Sequence, residues 1–310
     1  MLRKIGQEAR EASKALASAS DDQKNQALKL MSKSLMDNCD LILDANKQDL
    51  KKGKEIGISE ALTDRLTLTN ERIQSMAAGL LKIVELEDPV GKVEKEWTGQ
   101  NGLEYKKIRF PFGVIGVIYE ARPNVTSDVG GLCLKSGNAS ILRGSSYCLD
   151  SNMAVLKSLK EGLSSSTLPP NSIQLLEDTS REKGIELMKL TEFVDLLIPR
   201  GGKGLIQSMT ENATVPYILD GDGNVHLYIH EDANSEITNK IVINSKVQRP
   251  GVCNALETLI INREYLKING FSVIDDLIEN NVELFIDESI KKEYPKCEIA
   301  TSEHYLTEFH

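Results

Sequence analysis

The stretch Pro111-Phe-Gly-Val-Ile-Gly-Val-Ile-Tyr119 is a nearly continuous apolar run. Such a run is typical of a parallel strand with both faces buried, because crossover helices cover both sides of a parallel sheet. The residues just before this run follow a different pattern. Residues 93–97 and 103–110 alternate between apolar and polar side chains, and Thr98-Gly-Gln-Asn-Gly102 lies between them. An Asn-Gly turn between two alternating segments predicts a β-hairpin over about residues 92–110.

After this strand, short apolar segments alternate with helical patterns. Strands are predicted at 139–142, 172–176 and 194–198, and helices at 129–135, 153–163, 184–190 and 205–209. Repeated strand–loop–helix units predict an α/β fold with a doubly wound parallel sheet. In such a sheet, ligands bind beyond the carboxyl ends of the strands.

Residues 1 to about 85 carry helical rather than strand patterns. Apolar residues between Leu2 and Leu16 recur at helical spacing and predict a first amphipathic helix. Asp21-Asp22 is predicted to cap a second helix, and Thr69 or Asn70 to cap a third.

The composition narrows the class of protein. A chain of 310 residues is long enough for two domains with sizeable cores. A content of 40% hydrophobic and 27% charged residues is that of an ordinary globular protein. The net charge of −9 argues against binding to nucleic acid, which normally requires a strongly basic surface. No apolar run approaches membrane-spanning length, so no membrane association is expected.

The cysteines indicate a reducing compartment. The chain has five of them, widely scattered and without a C-x-x-C pair: Cys39, Cys133, Cys148, Cys253 and Cys297. This pattern argues against a disulfide framework or a zinc ribbon. The N-terminus turns polar too soon for a signal peptide, and the four histidines suggest no metal site. We therefore expect a cytoplasmic protein without a structural metal.

A glycine-rich loop follows the strand predicted at 194–198. Gly201, Gly202 and Gly204 allow the backbone to come close to a ligand, and a helix begins immediately after them. Helix N-terminal amides favour an anion such as a pyrophosphate. The alternative is a purely structural turn, because glycine-rich loops between strands and helices are common.

Arg143, with Ser145 and Ser146, follows the strand predicted at 139–142. A cofactor site for NAD usually has an acidic residue at such a strand end, whereas an arginine accommodates the 2′-phosphate of NADP. The loop therefore favours NADP. The alternative is a solvated arginine at the end of a strand, since exposed arginines are abundant.

Cys253 is the first candidate for a nucleophile. It follows Pro250-Gly251-Val252, a segment that bends the chain, and two cations, Lys246 and Arg249, lie close upstream. A thiol near positive charge and a turn can have a lowered pKa, and the thiolate is the reactive form. The alternative is a small buried hydrophobe, which is the commoner role of a free cysteine.

Five ordered motifs resemble one known family. They are residues 111–126, 132–138, 141–144, 198–202 and 248–259, and shorter similarities lie upstream at 45–46, 49–50 and 64–68. Together they resemble γ-glutamyl phosphate reductase, a proline-biosynthesis member of the aldehyde dehydrogenase superfamily. The resemblance extends from near the N-terminus to the end of the chain.

The resemblance implies an aldehyde-dehydrogenase-like architecture. Residues 1–225 would form the NADP-binding domain, with the hairpin at about 92–110 as an oligomerisation arm, and residues 226–310 the catalytic domain. The family continues beyond position 310, so the catalytic domain is expected to be C-terminally incomplete here. Asp220-Gly-Asp-Gly223 departs from the Gly-Gly pair expected in the family. The resemblance also implies a homo-oligomer and functional coupling to glutamate 5-kinase.

The resemblance further implies a reaction, the NADPH-dependent reduction of L-glutamyl 5-phosphate to L-glutamate 5-semialdehyde and phosphate. Cys253 would be the nucleophile, and Asn124 with the Cys253 amide would stabilise the oxyanion. Lys246 and Arg249 would hold the leaving phosphate or activate the thiol, with ordinary surface charge as the alternative. The residues expected near the cofactor are Arg143, Gly144, Ser145 and Ser146 at its adenosine end, and Arg200, Gly201 and Gly202 at its pyrophosphate and nicotinamide end.

Two other functions stay open on the sequence alone. One is an acylating or hydrolytic aldehyde dehydrogenase for another substrate. Apolar residues around Ile218 stand where hydrolytic relatives carry a water-activating glutamate, which counts against the hydrolytic form. The other is a catalytically weak protein that only binds the cofactor or oligomerises.

Overall fold

The computed structural model describes residues 2–219, 223–250 and 252–309, with Ala61 and Lys203 described by their backbone alone. The chain forms two compact units, Met1–Asp220 and Gly221–His310. In the described part of the chain, no helix is both long enough and apolar enough to cross a membrane.

Five helices open the first unit: α1 Leu2–Ala17, α2 Asp21–Asp37, α3 Cys39–Glu55, α4 Glu60–Leu66 and α5 Asn70–Val84. Thr69 caps α5 by accepting a hydrogen bond from the Arg72 amide at 3.2 Å, as predicted. The predicted cap of α2 is wrong, because Ser20 and Gln23 form a capping box there. An aspartate one position further on already lies within the first turn, where its charge favours the helix dipole.

The predicted hairpin is confirmed. Strands β1 (Val93–Thr98) and β2 (Glu104–Ile108) pair in antiparallel orientation. The turn is closed by a hydrogen bond from the Gly99 amide to the Leu103 carbonyl at 2.8 Å, and Gly102 has a φ of 80°, which favours glycine. Every residue of both strands is exposed, so the hairpin has no buried face within this chain.

The central sheet is parallel and has the order β5-β4-β3-β6. Its strands are β3 Val114–Tyr119, β4 Ala139–Arg143, β5 Ile173–Leu175 and β6 Leu196–Arg200, and the helices that connect or follow them are α6 Asn124–Lys135, α7 Leu149–Ser164, α8 Arg181–Met188 and α9 Lys203–Asn212. All six residues of β3 are buried, which confirms the prediction from the apolar run. The helix predicted at 129–135 begins five residues earlier, directly after Pro123, a residue that suits the start of a helix.

The second unit is a smaller α/β arrangement. Its parallel strands β7 (Val225–Ile229) and β8 (Leu256–Ile261) are connected through helix α10 (Ser235–Val247). Two further helices and a second parallel strand pair follow: α11 Arg263–Asn269, α12 Ser272–Glu279, β9 Phe285–Ile286 and β10 Glu298–Ile299. The core of this unit packs one face of β7 and β8 against the helices, with these fully or nearly buried residues: Ile229, Val242, Leu256, Tyr265, Val273, Ile274 and Leu277.

Candidate active site

The carboxyl ends of three neighbouring strands bring the predicted cofactor residues to one edge of the central sheet. The pairing register puts Ile118 of β3 opposite Arg143 of β4, and Tyr119 of β3 opposite Arg200 of β6. The chain leaves β3 towards β4 on one side and later returns to β6 on the other side. The end of β3 is therefore the topological switch point, where open α/β sheets bind nucleotides.

The Arg143 guanidinium is half-buried and tied to the loop before α8. Its Nη2 donates hydrogen bonds to the carbonyl oxygens of Thr179 and Ser180, the second at 3.3 Å. Its Nε is buried and has no hydrogen-bond partner among the described residues. Burial lowers the pKa of the guanidinium, and the charge of Asp178 opposes this effect. An arginine with a buried, unsatisfied donor is suited to bind an anion.

Arg143 also lines a cavity of about 210 Å³ at this edge. A second arginine, Arg181 in the first turn of α8, lines the same cavity, as does Ser208 of α9. The rest of the lining is apolar or glycine: Ile118, Gly184, Ile185, Met188, Gly204 and Leu205. Arg181 was not predicted from the sequence, although a cation at the start of a helix that follows a predicted strand was a usable signal.

Gly144, Ser145 and Ser146 connect β4 to the helix α7. A Cβ atom on Gly144 would lie 2.2 Å from Nδ2 of Asn152, so packing alone requires glycine here. The Ser145 hydroxyl accepts a hydrogen bond from the Tyr147 amide at 3.3 Å and begins a short 3₁₀ turn. Ser146 is exposed and therefore accessible to a ligand.

The glycine-rich loop at the start of α9 is in contact with a carboxylate. The Gly202 amide donates a hydrogen bond to Oε1 of Glu120 at 3.0 Å. Glu120 directly follows β3, and its own amide donates to the Arg200 carbonyl at 3.0 Å, which extends the pairing of β3 with β6 by one residue. Glu120 was not predicted from the sequence, because only the pairing of the two strands shows that it faces this loop.

Asn124 is exposed at the first position of α6. Its Nδ2 donates a hydrogen bond to the Asp128 carboxylate at 2.9 Å. Burial raises the pKa of Asp128, and the bond from Asn124 partly opposes that rise. This side chain therefore lies in the first turn of a helix, close to the switch point, with one partner on its own helix.

Cys253 lies in the second unit, on the turn between α10 and β8. It is exposed, so the alternative of a buried small hydrophobe is wrong. The turn is closed by a hydrogen bond from the Ala255 amide to the Val252 carbonyl at 2.9 Å. A Cβ atom on Gly223 would lie 2.3 Å from the Cys253 carbonyl oxygen, so the segment before β7 passes directly along the Cys253 backbone. Four residues of the predicted motifs, Asp220, Gly221, Asp222 and Gly251, lie outside the described residues.

The two cations near Cys253 differ in their surroundings. The Lys246 ammonium lies 3.6 Å from Oε2 of Glu257, and these side chains are only 16% and 4% exposed. The same carboxylate oxygen accepts a hydrogen bond from the Phe309 amide at 3.1 Å. Arg249 is exposed. Glu257 was not predicted from the sequence, because a lone glutamate just before an apolar run gives no signal of burial.

The remaining four cysteines are less accessible than Cys253. Cys133 and Cys148 are buried, and burial raises the pKa of each thiol to about 12. Burial also raises the pKa of Cys39, and Cys297 is half-buried. All five are free thiols in the structure. Cys253 is therefore the most accessible thiol of the chain.

No family model matches the chain. The γ-glutamyl phosphate reductase of Anoxybacillus flavithermus is 46% identical over 300 residues, which is 97% of this chain and 72% of that protein. The same enzyme of Clostridium beijerinckii is 48% identical over 304 residues, 98% of this chain and 73% of that protein.

The chain belongs to the γ-glutamyl phosphate reductase family.

A solved γ-glutamyl phosphate reductase from Thermotoga maritima agrees with this result. It is 38% identical, with a TM-score of 0.94 over 99% of this chain and 74% of that chain. An acetylating aldehyde dehydrogenase from Geobacillus thermoglucosidasius, 17% identical, matches with a TM-score of 0.64 over 94% of this chain and 60% of that chain, which shows a shared fold. The predicted family resemblance and the aldehyde-dehydrogenase-like fold are both confirmed.

Membership of the γ-glutamyl phosphate reductase family makes this chain an oxidoreductase of proline biosynthesis and implies a nicotinamide cofactor. The chain spans 72–73% of the length of the two bacterial relatives. Among the described residues, no group of three or more histidine, cysteine, aspartate or glutamate side chains is placed to hold a metal ion.

Proposed function

We propose that this protein reduces L-glutamyl 5-phosphate to L-glutamate 5-semialdehyde with NADPH and releases inorganic phosphate. The observation that carries the proposal is the exposed Cys253 on a tight turn, in a chain of the γ-glutamyl phosphate reductase family. An exposed thiol in a bend of the backbone is accessible to an acyl phosphate, whereas a buried thiol is inert.

The central sheet fits the adenosine end of NADPH. Arg143 has a buried Nε that finds no partner in the described part of the chain, and Arg181 lines the same cavity, so two cations are available to a 2′-phosphate. The apolar walls of the cavity suit a flat purine ring. Ser145 and Ser146 lie next in sequence to Arg143 and supply hydroxyl groups. We assign these residues to the adenosine end and thereby favour NADPH over NADH.

The loop Arg200-Gly-Gly202 fits the pyrophosphate of the cofactor. It ends β6 at the switch point, and Gly202 is the N-cap of the ten-residue helix α9. The positive end of a helix dipole and its free amides favour a negatively charged group. NADPH, when bound, supplies the hydride, and the residues of the chain hold it in position.

Cys253 is the proposed nucleophile. Its thiolate attacks the acyl carbon of the acyl phosphate, the bond from carbon to the phosphate oxygen breaks, and inorganic phosphate leaves with the bonding electrons. The product on the protein is a thioester at Cys253. After hydride addition to the thioester carbonyl, the carbon–sulfur bond breaks, the thiolate is regenerated and the semialdehyde is released.

Each tetrahedral stage carries a negatively charged oxygen that requires hydrogen-bond donors. We assign the Cys253 backbone amide and the Asn124 side-chain amide to this task. The Asn124 amide group has its second N–H available after donating to Asp128, because a side-chain amide carries two donors. This assignment requires Asn124 to keep its position in the first turn of α6.

Arg249 and Lys246 are the proposed ligands of the leaving phosphate. Arg249 is exposed and therefore accessible to a ligand, and its planar fork suits a phosphate. Lys246 can contribute only in competition with Glu257, which lies 3.6 Å from its ammonium group. Arg249 is therefore the stronger candidate of the two.

The residues that stand where hydrolytic relatives carry a water-activating glutamate support reduction over hydrolysis. Residues 215–219 read Val-Pro-Tyr-Ile-Leu and contain no carboxylate. A thioester that waits for hydride is lost if a general base activates water beside it. We further propose a cytoplasmic homo-oligomer assembled through the β1–β2 hairpin, with functional coupling to glutamate 5-kinase.

The experiment measures the reverse reaction, the NADP-dependent oxidation of L-glutamate 5-semialdehyde in the presence of phosphate. Cys253→Ala should lower kcat/KM by about a thousandfold or more, because covalent catalysis requires the thiolate. Cys297→Ala, a matched change at a half-buried thiol of the same unit, should leave the rate unchanged. Near-normal activity of the Cys253→Ala variant would show that Cys253 is not the nucleophile. If the protein without any substitution shows no activity in this assay, the proposed function is contradicted.

A further inference from the structure

A carboxylate of the chain itself, that of Glu120, is bound at the N-terminus of α9. Oε1 of Glu120 accepts a hydrogen bond from the Gly202 amide at 3.0 Å. This amide belongs to the loop that the proposed function assigns to the pyrophosphate of the cofactor. A carboxylate and a phosphate carry charge of the same sign and accept the same N–H bond, so both cannot occupy this amide at once.

The backbone of Glu120 is held in place, whereas its side chain is exposed. The Glu120 amide donates to the Arg200 carbonyl at 3.0 Å, and the Arg122 amide donates to the Glu120 carbonyl at 2.7 Å. The side chain itself is exposed to solvent. A rotation about side-chain bonds is therefore sufficient to remove the carboxylate from Gly202 without moving the strand.

The fit between the two segments is close. A Cβ atom on Gly201 would lie 2.8 Å from Cγ and Cδ of Glu120 and 2.9 Å from its Oε1. Gly201 therefore provides the space in which the Glu120 side chain lies over the loop. The glycine pair that admits a cofactor phosphate thus also admits this carboxylate.

We propose that the Glu120 carboxylate competes with the pyrophosphate of the cofactor for the Gly202 amide. The carboxylate must leave this amide before NADPH occupies the loop. The inference rests on the proposed assignment of this loop to the pyrophosphate. Glu120 lowers the affinity of the free protein for NADPH, because binding must break one charged hydrogen bond and bring two like charges together. It acts on affinity for the cofactor and leaves the adenosine end untouched.

The test compares Glu120→Gln with the unchanged chain by titration of NADPH fluorescence. Glutamine retains an oxygen that can accept from Gly202 but carries no charge. We expect a Kd for NADPH about three- to tenfold lower, as removal of a competing charge at a helix N-terminus would give. The control is Glu211→Gln, which makes the same change of net charge at the other end of α9 and should leave the Kd unchanged.

A second ligand separates competition from a structural effect. Adenosine 2′-monophosphate carries the phosphate of the adenosine end but no pyrophosphate. Its Kd, measured by competition or calorimetry, should be the same for the unchanged chain and for Glu120→Gln. Equal or weaker NADPH binding by Glu120→Gln, with adenosine 2′-monophosphate binding retained, would overturn the inference and show that Glu120 holds the loop in its binding form.

The failure of the proposed function gives a different result. If the unchanged chain binds neither NADPH nor adenosine 2′-monophosphate, both the cofactor assignment and the inference are wrong. Glu120→Ala guards against a special effect of glutamine, because it removes the acceptor entirely and should also tighten NADPH binding. Thermal unfolding of each variant shows that the comparison is made between folded proteins.

Discussion

Burial distinguishes Cys253 from the other cysteines more clearly than its sequence neighbours do. The turn before β8 leaves it exposed, whereas Cys133 and Cys148 lie in the core of the first unit, where burial raises the pKa of each thiol to about 12. A thiol with so high a pKa is almost entirely protonated at neutral pH and a poor nucleophile. The exposure of Cys253 removes the alternative of a buried hydrophobe, and its role as the nucleophile stays a prediction.

The prediction that the protein prefers NADPH to NADH depends on Arg143. Arg143→Gln should weaken NADPH binding about ten- to a hundredfold, the effect of losing charged hydrogen bonds to a phosphate. NADH lacks the 2′-phosphate, so its Kd should change much less. Both values are measurable by fluorescence titration of the two reduced cofactors.

Arg143 also has a structural role, because it donates hydrogen bonds to the carbonyl oxygens of Thr179 and Ser180. If that role dominates, the affinities for NADPH and NADH will fall equally, which would contradict the 2′-phosphate assignment. Arg65→Gln, in the last turn of α4, changes the net charge of the same unit equally and should alter neither affinity.

At the scale of elements, the connection between α10 and β8 carries Cys253, and an ion pair joins its two ends. Lys246 lies in the last turn of α10 and Glu257 in β8, with their charged atoms 3.6 Å apart and both side chains largely buried. A buried carboxylate deprived of its cation is costly, whereas the loss of an exposed pair costs little. The pair therefore holds the two ends of the Cys253 connection together.

Lys246→Met should lower the free energy of unfolding by about 1–3 kcal/mol, because it leaves the Glu257 carboxylate buried without a cation. Denaturant unfolding measures this change. Lys240→Met is the matched control on the same helix, since Lys240 forms an exposed pair with Glu236, and its cost should stay below about 0.5 kcal/mol. If Lys246→Met instead raises the KM for phosphate without loss of stability, Lys246 is a phosphate ligand and not a support of this connection.

The strands and helices were largely predictable from the sequence where the apolar residues follow a single clear spacing. The run before Tyr119 gave a strand that is buried throughout, and the Asn-Gly turn gave the hairpin in its observed place. The start of α6 was missed by five residues, because helix initiation after Pro123 depends on local capping and not on apolar period. The cap of α2 was misplaced for the same reason, since aspartate and serine are both good caps and only the backbone shows which is used.

At the scale of the whole molecule, every residue of the two hairpin strands is exposed, so the hairpin packs no face against the rest of the described chain. Trp97 and Tyr105 stack with ring centroids 5.3 Å apart and remain 45% and 40% exposed, and Phe110 is 75% exposed. Exposed aromatic residues on two adjacent strands form an apolar surface of the kind that interfaces bury. This supports the proposed homo-oligomer.

Replacement of Trp97 and Tyr105 by serine should shift the protein towards lower mass in light scattering, with a dissociation constant raised on the order of tenfold or more by the lost apolar burial. Ile268→Ser, at a 73% exposed residue of α11, is the control and should not change the mass. An unchanged mass for the double serine variant would contradict a role for the hairpin in assembly.

The sequence by itself determined the α/β class, the family and the candidate nucleophile, because these depend on local period and on motifs whose residues are close in the chain. Only the tertiary structure showed that Arg181 lines a cavity with Arg143, that Glu120 contacts Gly202, and that Glu257 pairs with Lys246. Each of these contacts joins segments that are separate in sequence and are brought together by strand pairing or helix packing. Local patterns do not record such pairings, since the burial and charge of a side chain depend on the neighbours that folding places around it.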